Sequence, residues 1–247
     1  MVFSPSDAAR TARALVATDA VRIAGDTPFF YTSGWASPVY VDVHALLSDV
    51  AWRTDLMDAA ARAAAPLVDQ QGITAVVGSE SSGIAFAAWL ADRLALPMLY
   101  LRKRPIGWGV QAQLQGRLPQ AGANVLLVDD VTTDGRSKRA AAAALRQAGT
   151  QVTDAIVLFD YAIYPHAAAE AAAQQALQLH ALASWPHLHA ALIAHGRLTA
   201  QQLRTLADFT ASPTQWSVAH GGTGGAGGTG GTGGTGGTGG APVEGAA

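Results

Sequence analysis

Val125-Leu126-Leu127-Val128-Asp129-Asp130-Val131-Thr132-Thr133-Asp134-Gly135-Arg136-Ser137 is the stretch that decides how the rest of the chain is read. Its first four residues are an unbroken apolar run of the kind that forms a strand buried on both faces, and that strand delivers two adjacent carboxylates to its carboxyl end. The turn that follows is built of hydroxyls and a glycine, and it opens a helix at about Ser137. Backbone N–H groups and the positive end of the helix dipole then converge on one point, an arrangement that binds a phosphate monoester. Asp129 and Asp130 do not suit direct phosphate contact, because like charges repel. They suit hydrogen bonds from sugar hydroxyls, or Mg²⁺ held through water. Two acids after a strand also serve as an ordinary turn and helix-capping device. The apolar run before them and the Thr-x-Gly-x-Ser pattern after them favour a site.

Working outward, 124–128 reads as a buried strand, 137–147 as an alanine-rich helix closed by Gly149, and 152–159 as a further strand. Upstream, 73–78 is a β-branched run ending at glycine, followed by a small-residue turn, an apolar helix over 84–94 and a strand over 97–101. Strands separated by helices of this length cannot be hairpins, so they pair in parallel through right-handed crossovers. The fold class is therefore α/β, a doubly wound parallel sheet flanked by helices. Ligands in such sheets gather beyond the carboxyl ends of the strands, which singles out the segments after Gly78, Leu101, Val128 and Phe159. Ser6 or Asp7 is placed to cap a helix over 8–17, and Asp49 one running to about residue 65. The segment 166–217 reads as a helical extension.

Composition bounds the function. Of 247 residues, 49% are hydrophobic and 14% charged, which fits a well-buried interior and excludes general disorder. The formal net charge of -2 offers no overall basic excess for nucleic acid or an anionic membrane, so any anion site is local. The chain has no cysteine, which removes disulfides, thiolate metal sites and thiol nucleophiles. Residues 1–13 lack the apolar run of a signal peptide, and the longest uncharged stretch, 171–196, is broken by glutamines, histidines and Pro186. The expectation is a soluble, cytoplasmic protein. Over half of the 27 glycines lie beyond His220, in a Gly-Gly-Thr repeat with no side chains to bury, so 221–247 is expected to be a disordered tail. His180, His187, His189 and His195 cluster in the extension, but their spacing and the lack of a nearby carboxylate argue against a metal site.

The stretch 125–137 resembles the phosphoribosyl-pyrophosphate signature of type I phosphoribosyltransferases. Two more stretches narrow the resemblance to the orotate phosphoribosyltransferases. Phe29-Phe30-Tyr31-Thr32-Ser33-Gly34-Trp35-Ala36-Ser37-Pro38-Val39-Tyr40-Val41-Asp42 is similar to that family's Ser-Gly-x-x-Ser-Pro-x-Tyr segment, which folds over the base. Taken alone it also reads as a hairpin, with Gly34 at the turn and Pro38 opening an edge strand. Leu101-Arg102-Lys103-Arg104-Pro105, followed by Gly107-Trp108-Gly109, is similar to the family's basic strand end and mobile catalytic loop. Alone it reads as a solvated charge cluster. Thr132 to Lys138 and Trp-Ser-x-x-His-Gly-Gly at Trp216 to Gly222 are closest to the longer bacterial members, which carry a helical C-terminal extension.

The resemblance implies one phosphoribosyltransferase domain over 1–220, with an N-terminal hood over about 20–48, a core over 49–165 and the helical extension over 166–220. It implies transfer of ribose 5-phosphate from phosphoribosyl pyrophosphate to orotate, with Mg²⁺ bound mainly through substrate and water, in a homodimer whose lid, within 105–120, reaches the neighbouring subunit's site. Arg102 and Lys103 are then the cations for the pyrophosphate, and Asp129 and Asp130 hold the ribose. Val131 and Thr132 lead into the Thr133, Asp134, Gly135, Arg136 and Ser137 turn that cradles the 5′-phosphate. Ser81 and Ser82 fall in the pyrophosphate loop 78–83, and Tyr40 and Val41 at the base. Three positions depart from the family pattern: Ile106 replaces a lid lysine, Trp108 a histidine, and Tyr161 an arginine that holds the orotate carboxylate in many members, although the longer members often carry an aromatic residue at that last position. The rival readings are a phosphoribosyltransferase for another base and a non-catalytic sensor of the sugar donor.

Overall fold

The computed structural model describes residues 3–105, 113–164 and 177–224. In chain order the elements are α1 (Pro5–Ala17), β1 (Val21–Ile23), β2 (Phe29–Phe30), β3 (Ala36–Ser37), β4 (Val39–Val41), α2 (Ala45–Ser48), α3 (Val50–Gln71), β5 (Ile73–Ser79), α4 (Ser82–Leu94), β6 (Met98–Leu101), β7 (Leu114–Gln115), β8 (Asn124–Thr132), α5 (Arg136–Gln147), β9 (Asp154–Asp160), β10 (Gln178–Ser184), α6 (Trp185–His195), α7 (Ala200–Ala211) and α8 (Pro213–Ala219). A six-stranded sheet in the order β10-β9-β8-β5-β6-β7 forms the centre, parallel throughout except for the edge strand β7.

Alternation along the strands sorts the core into two layers. Leu126, Val128, Ile156, Leu158 and Leu182 face α1, α3, α4 and the C-terminal helices, whereas Val125, Leu127, Ala75, Val77 and Ala155 face Ala142 and Leu145 of α5. The first layer is larger because it also receives the hood, through Trp35, Val39 and Val41. Both faces of β5, β8 and β9 are thereby covered, which explains why these strands read as continuous apolar runs.

Several elements differ from expectation. The first helix starts at Pro5, capped by Ser4, and Asp7 completes a capping box instead of serving as the cap. Asp49 does cap α3, but the helix runs past Pro66 to Gln71 and stops at left-handed Gly72; Pro66 lies on the exposed side, while Leu67 is buried and holds the last turn to the core. The largest difference is in the extension. Gln178–Ser184, rich in alanine and leucine, is a strand because the free edge of β9 offers a parallel partner, and sheet pairing outweighs local helix propensity. Residues 166–176 of the expected extension lie outside the described residues, and after β10 the described chain is helical from Trp185. Gly221–Gly224 are also not loose, since Thr223 N–H donates to Gly34 O at 2.8 Å and Gly222 N–H to Ser217 O at 2.8 Å. The rest of the glycine-threonine repeat lies outside the described residues.

His180 Nε2 lies 2.7 Å from Asp154 Oδ1, and both residues are buried, so the β9–β10 edge closes on a shielded hydrogen-bonded pair. His187 is used locally, with Nδ1 2.9 Å from Ser184 Oγ at the start of α6. Asp154→Ala strands His180 in the core, and a lost hydrogen bond to a charged partner costs about 1.5–3 kcal/mol, or roughly 3–10 °C in thermal midpoint for a chain of this size. Differential scanning calorimetry of the variant checks this; an unchanged midpoint shows that β10 docks by its apolar residues alone.

Candidate active site

Strand β8 runs through both acids and ends at Thr132, so Asp129 and Asp130 belong to the strand and the turn is Thr133–Gly135. Gly135 has φ +75° and lets the chain reverse into α5, and its N–H donates to Thr132 Oγ1 at 3.1 Å. Arg136 N–H donates to Asp134 Oδ1 at 3.1 Å. Two amides of the turn are thus held by the turn's own side chains. Ser137 is exposed in the first turn of α5 and the half-exposed Arg136 places Nε 3.3 Å from Asp134 Oδ2, whereas Thr132 and Asp134 are buried.

The acid pair is not open as the sequence suggests. Lys138, buried in the first turns of α5, places Nζ 2.8 Å from Asp129 Oδ2 and 3.8 Å from Asp130 Oδ1, and donates to Val131 O at 2.5 Å. Asp129 is buried, and desolvation pushes its pKa up to about 6 against the opposing pull of Lys138, with Asp130 adding repulsion. Asp130 is the more accessible carboxylate, its side chain 24% exposed, and Oδ1 accepts the Val131 N–H at 2.6 Å.

The loop after β5 approaches from one side. A Cβ on Gly83 would lie 2.5 Å from the Val128 carbonyl oxygen, and one on Gly78 2.8 Å from the Gly83 carbonyl, so these two glycines let α4 start directly against β8. Ser81 and Ser82 stand at that start, after a cis Glu80–Ser81 bond. Glu80 ties the loop to the next strand end: Lys103 N–H donates to Oε2 at 2.8 Å, and Arg102 Nη2 lies 3.8 Å from Oε1. Beyond Lys103 the chain returns as β7, antiparallel to β6, with Arg102 N–H donating to Gln113 O at 2.8 Å. The segment 105–120 expected to form the lid therefore includes the edge strand β7. Ile106 and Trp108 lie outside the described residues.

The hood packs against the turn after β8 and the start of α4. β2 and β3 form a hairpin whose turn carries Gly34 at φ +88°, and its continuation β4 pairs with β1. Trp35, fully buried, donates Nε1–H to Asp134 Oδ2 at 3.4 Å, and Thr133 Oγ1 donates to Ser33 Oγ at 3.3 Å, so the hairpin turn touches the turn after β8. Tyr40 is partly exposed, and its pKa is raised mainly by desolvation and then by Asp42, against the opposing pull of Arg22. Val41 is buried, its N–H donating to the Tyr161 hydroxyl at 3.1 Å. His44 bridges Asp42, with Nδ1 2.8 Å from Oδ1, and Ser82, with Nε2 2.7 Å from Oγ. Among the described residues, those singled out in the sequence thus fall at the carboxyl ends of β5, β6 and β8 or on the hood segment beside them.

The chain matches the phosphoribosyl transferase domain over residues 53–172. It is 39% identical over 203 residues to the orotate phosphoribosyltransferase of Agrobacterium fabrum, covering 82% of this chain and 87% of that protein. With the orotate phosphoribosyltransferase of Jannaschia sp. it shares 37% identity over 209 residues, 85% of this chain and 91% of that one. The chain belongs to the orotate phosphoribosyltransferase family. The crystal structure of orotate phosphoribosyltransferase from Aeropyrum pernix matches with a TM-score of 0.60 at 30% identity, over 76% of this chain and 99% of that one. Leishmania donovani UMP synthase, at 24% identity, a TM-score of 0.66, and 83% and 42% coverage, supports the fold.

Within this orotate phosphoribosyltransferase-family site, Lys138, His44, Trp35 and Glu80 were not assigned roles from sequence. Lys138 carried a usable signal, a lysine three residues inside a helix that follows two acids. The others act across long separations that local pattern does not reveal. Lys138→Met leaves the two acids without their buried counter-charge and raises the Asp129 pKa further. Because the folded-state pKa of Asp129 already exceeds its unfolded value, the stability from its protonated form is present at low pH and is lost as pH rises through about 6. The variant should therefore be less stable than wild type by about 3–5 kcal/mol at pH 8, with a smaller deficit at pH 5. Thermal melts at both pH values check this; an equal deficit at both shows that Lys138 acts only through packing.

Proposed function

We propose that this cleft transfers the 5-phosphoribosyl group from phosphoribosyl pyrophosphate to orotate, releasing pyrophosphate and giving orotidine 5′-monophosphate for pyrimidine synthesis. The observation that carries the reading is the direct contact between the hood turn and the turn after β8, Trp35 to Asp134 and Thr133 to Ser33, which sets the hood segment against the turn that follows the acid pair. The bond from the anomeric carbon to pyrophosphate breaks with its electron pair leaving on oxygen, and a bond from the base nitrogen to the same carbon forms. Positive charge builds on the sugar and negative charge on the leaving group, so catalysis is mainly electrostatic.

In this reading Thr133, Asp134, Gly135, Arg136 and Ser137 receive the 5′-phosphate, and its oxygens replace Thr132 Oγ1 and Asp134 Oδ1 at the Gly135 and Arg136 amides. Asp130 and Asp129 accept from the ribose hydroxyls, with Lys138 keeping the buried acid ionised. Ser81, Ser82, Arg102 and Lys103 face the pyrophosphate, and Tyr40 and Val41 the base. Mg²⁺ fits this donor set: Asp129 is engaged by Lys138, but the partly exposed Asp130 suits a water-mediated contact to an ion held mostly by substrate oxygens. When bound, it neutralises charge on the leaving group. The hairpin of β6 and β7 supports a lid, and the same reading carries a homodimer with that lid shared between subunits and a cytoplasmic setting. Among the described residues, no helix is long and apolar enough to cross a membrane.

Orotate consumption, followed by absorbance, should require both the sugar donor and Mg²⁺, with adenine, hypoxanthine and uracil inert. Turnover with one of those bases in place of orotate overturns the acceptor, and donor binding without turnover overturns the enzyme. Replacing Asp129→Asn together with Asp130→Asn should abolish transfer and also lower the melting temperature, because the Lys138 ammonium is left buried without a counter-charge, whereas Asp130→Asn alone, at the more exposed acid, should lose activity with the melting temperature retained; activity within about tenfold of wild type in both shows that the ribose lies elsewhere. Lys103→Ala should lower kcat by about two orders of magnitude or more with a smaller effect on donor affinity, because its charge counts most as pyrophosphate departs. Weaker donor binding at unchanged kcat restricts Lys103 to ground-state contact.

A further inference from the structure

The C-terminal end of α8 and the residues after it make a second set of contacts with the hood turn. Ser217, fully buried, accepts the Ala36 N–H at 3.0 Å and donates to Thr223 O at 2.7 Å. Thr223 N–H donates to Gly34 O at 2.8 Å, and Gly222 N–H to Ser217 O at 2.8 Å. A Cβ on Gly222 would fall 2.4 Å from both Ala36 N and Ser217 Oγ, so only glycine allows the chain to lie flat against the hairpin. Gly221 turns the chain at φ +83°, and Trp216 stacks on His220 with ring centroids 3.7 Å apart, fixing the exit from α8.

We propose that Ser217–Thr223 is a positioning strap for acceptor recognition, with Ser217 and Gly222 as positioning residues that hold the Thr32–Ala36 turn over the base. The proposal rests on the functional reading above. The strap grips the turn at Gly34 and Ala36, while the turn after β8 grips it at Ser33 and Trp35. The turn's own bonds, Tyr31 N–H to Trp35 O at 2.9 Å and Gly34 N–H to Tyr31 O at 2.8 Å, hold its shape; without the strap, the hydrogen bonds that fix its place are reduced to the longer contacts at 3.3 and 3.4 Å, and the turn shifts as a unit. The donor turn does not depend on the strap, because its own bonds among Thr132, Asp134, Gly135 and Arg136, and the Lys138 pair beneath it, are independent of α8. Loss of the strap should therefore separate the two substrates.

The test uses steady-state kinetics, with both substrates varied, on the full chain, Gly222→Ala, Ser217→Ala, and chains ending at His220 or at Gly224. The chain ending at His220 and the Gly222→Ala variant should raise KM for orotate by about fivefold or more while KM for the donor stays within about twofold. Ser217→Ala should shift orotate in the same sense, and the chain ending at Gly224 should match the full chain. Equal rises in both KM values, or a lower melting temperature with both unchanged, make the strap a general brace and overturn the proposal. Should Gly222→Ala fail to fold, the two truncations still decide it. If the full chain shows no orotate-dependent pyrophosphate release, the functional reading fails and the strap proposal with it; if it does and the truncations behave alike, only the strap proposal fails.

Discussion

The buried ammonium of Lys138 is the constraint on which the rest of the site depends. Two neighbouring carboxylates at the end of a buried strand are costly to ionise, and desolvation alone drives Asp129 toward its neutral form. Nζ at 2.8 Å from Asp129, with a further bond to the Val131 carbonyl, supplies charge and hydrogen bonding together. It also dictates where α5 begins. For Lys138 to reach back under the strand, the chain must reverse within three residues, and left-handed Gly135 makes that possible. The geometry of the turn is thus a consequence of how the acids are neutralised.

The same economy of space governs the other walls. Gly78 and Gly83 bring α4 against β8, and Gly222 brings the C-terminal strap against the hood, each at a distance where a methyl group would overlap backbone or a buried hydroxyl. Close approach places Ser82 within reach of His44, and Ala36 within reach of Ser217. Hood, donor turn and C-terminus are therefore linked by short polar contacts over an apolar base that includes Trp35, Tyr164 and Phe209.

What was legible in the sequence was local. β8, its acids and the glycine turn could be read because the strand, the charges and the reversal lie in thirteen consecutive residues, and the parallel crossovers followed from helix lengths between strands. β10 was not legible, since Gln178–Ser184 has helix-forming residues and becomes a strand only against β9. The composition of the tail concealed the docking of Gly221–Gly224 for a related reason. Glycine and threonine bury little, so the contact is made by backbone groups, Thr223 N–H to Gly34 O and Thr223 O to the Ser217 hydroxyl that also holds Ala36 N–H, and Gly34 and Ala36 lie near the other end of the chain.

Tyr161 shows how a departure from family pattern acquires a physical meaning once its neighbours are known. Many relatives were expected to carry an arginine there to meet a carboxylate. In this chain the hydroxyl accepts the Val41 N–H at 3.1 Å and donates to Val39 O at 3.3 Å, under rings of Tyr31 and Phe159 at 5.2 and 5.0 Å. Burial raises its pKa well above the ordinary phenol value, which keeps the proton needed for the second of those bonds. A guanidinium at this point would bring an uncompensated charge into an aromatic cluster that is fully buried on the Tyr161 side. Position 161 therefore fixes the hood strand that carries Tyr40, through bonds to the residues on either side of it.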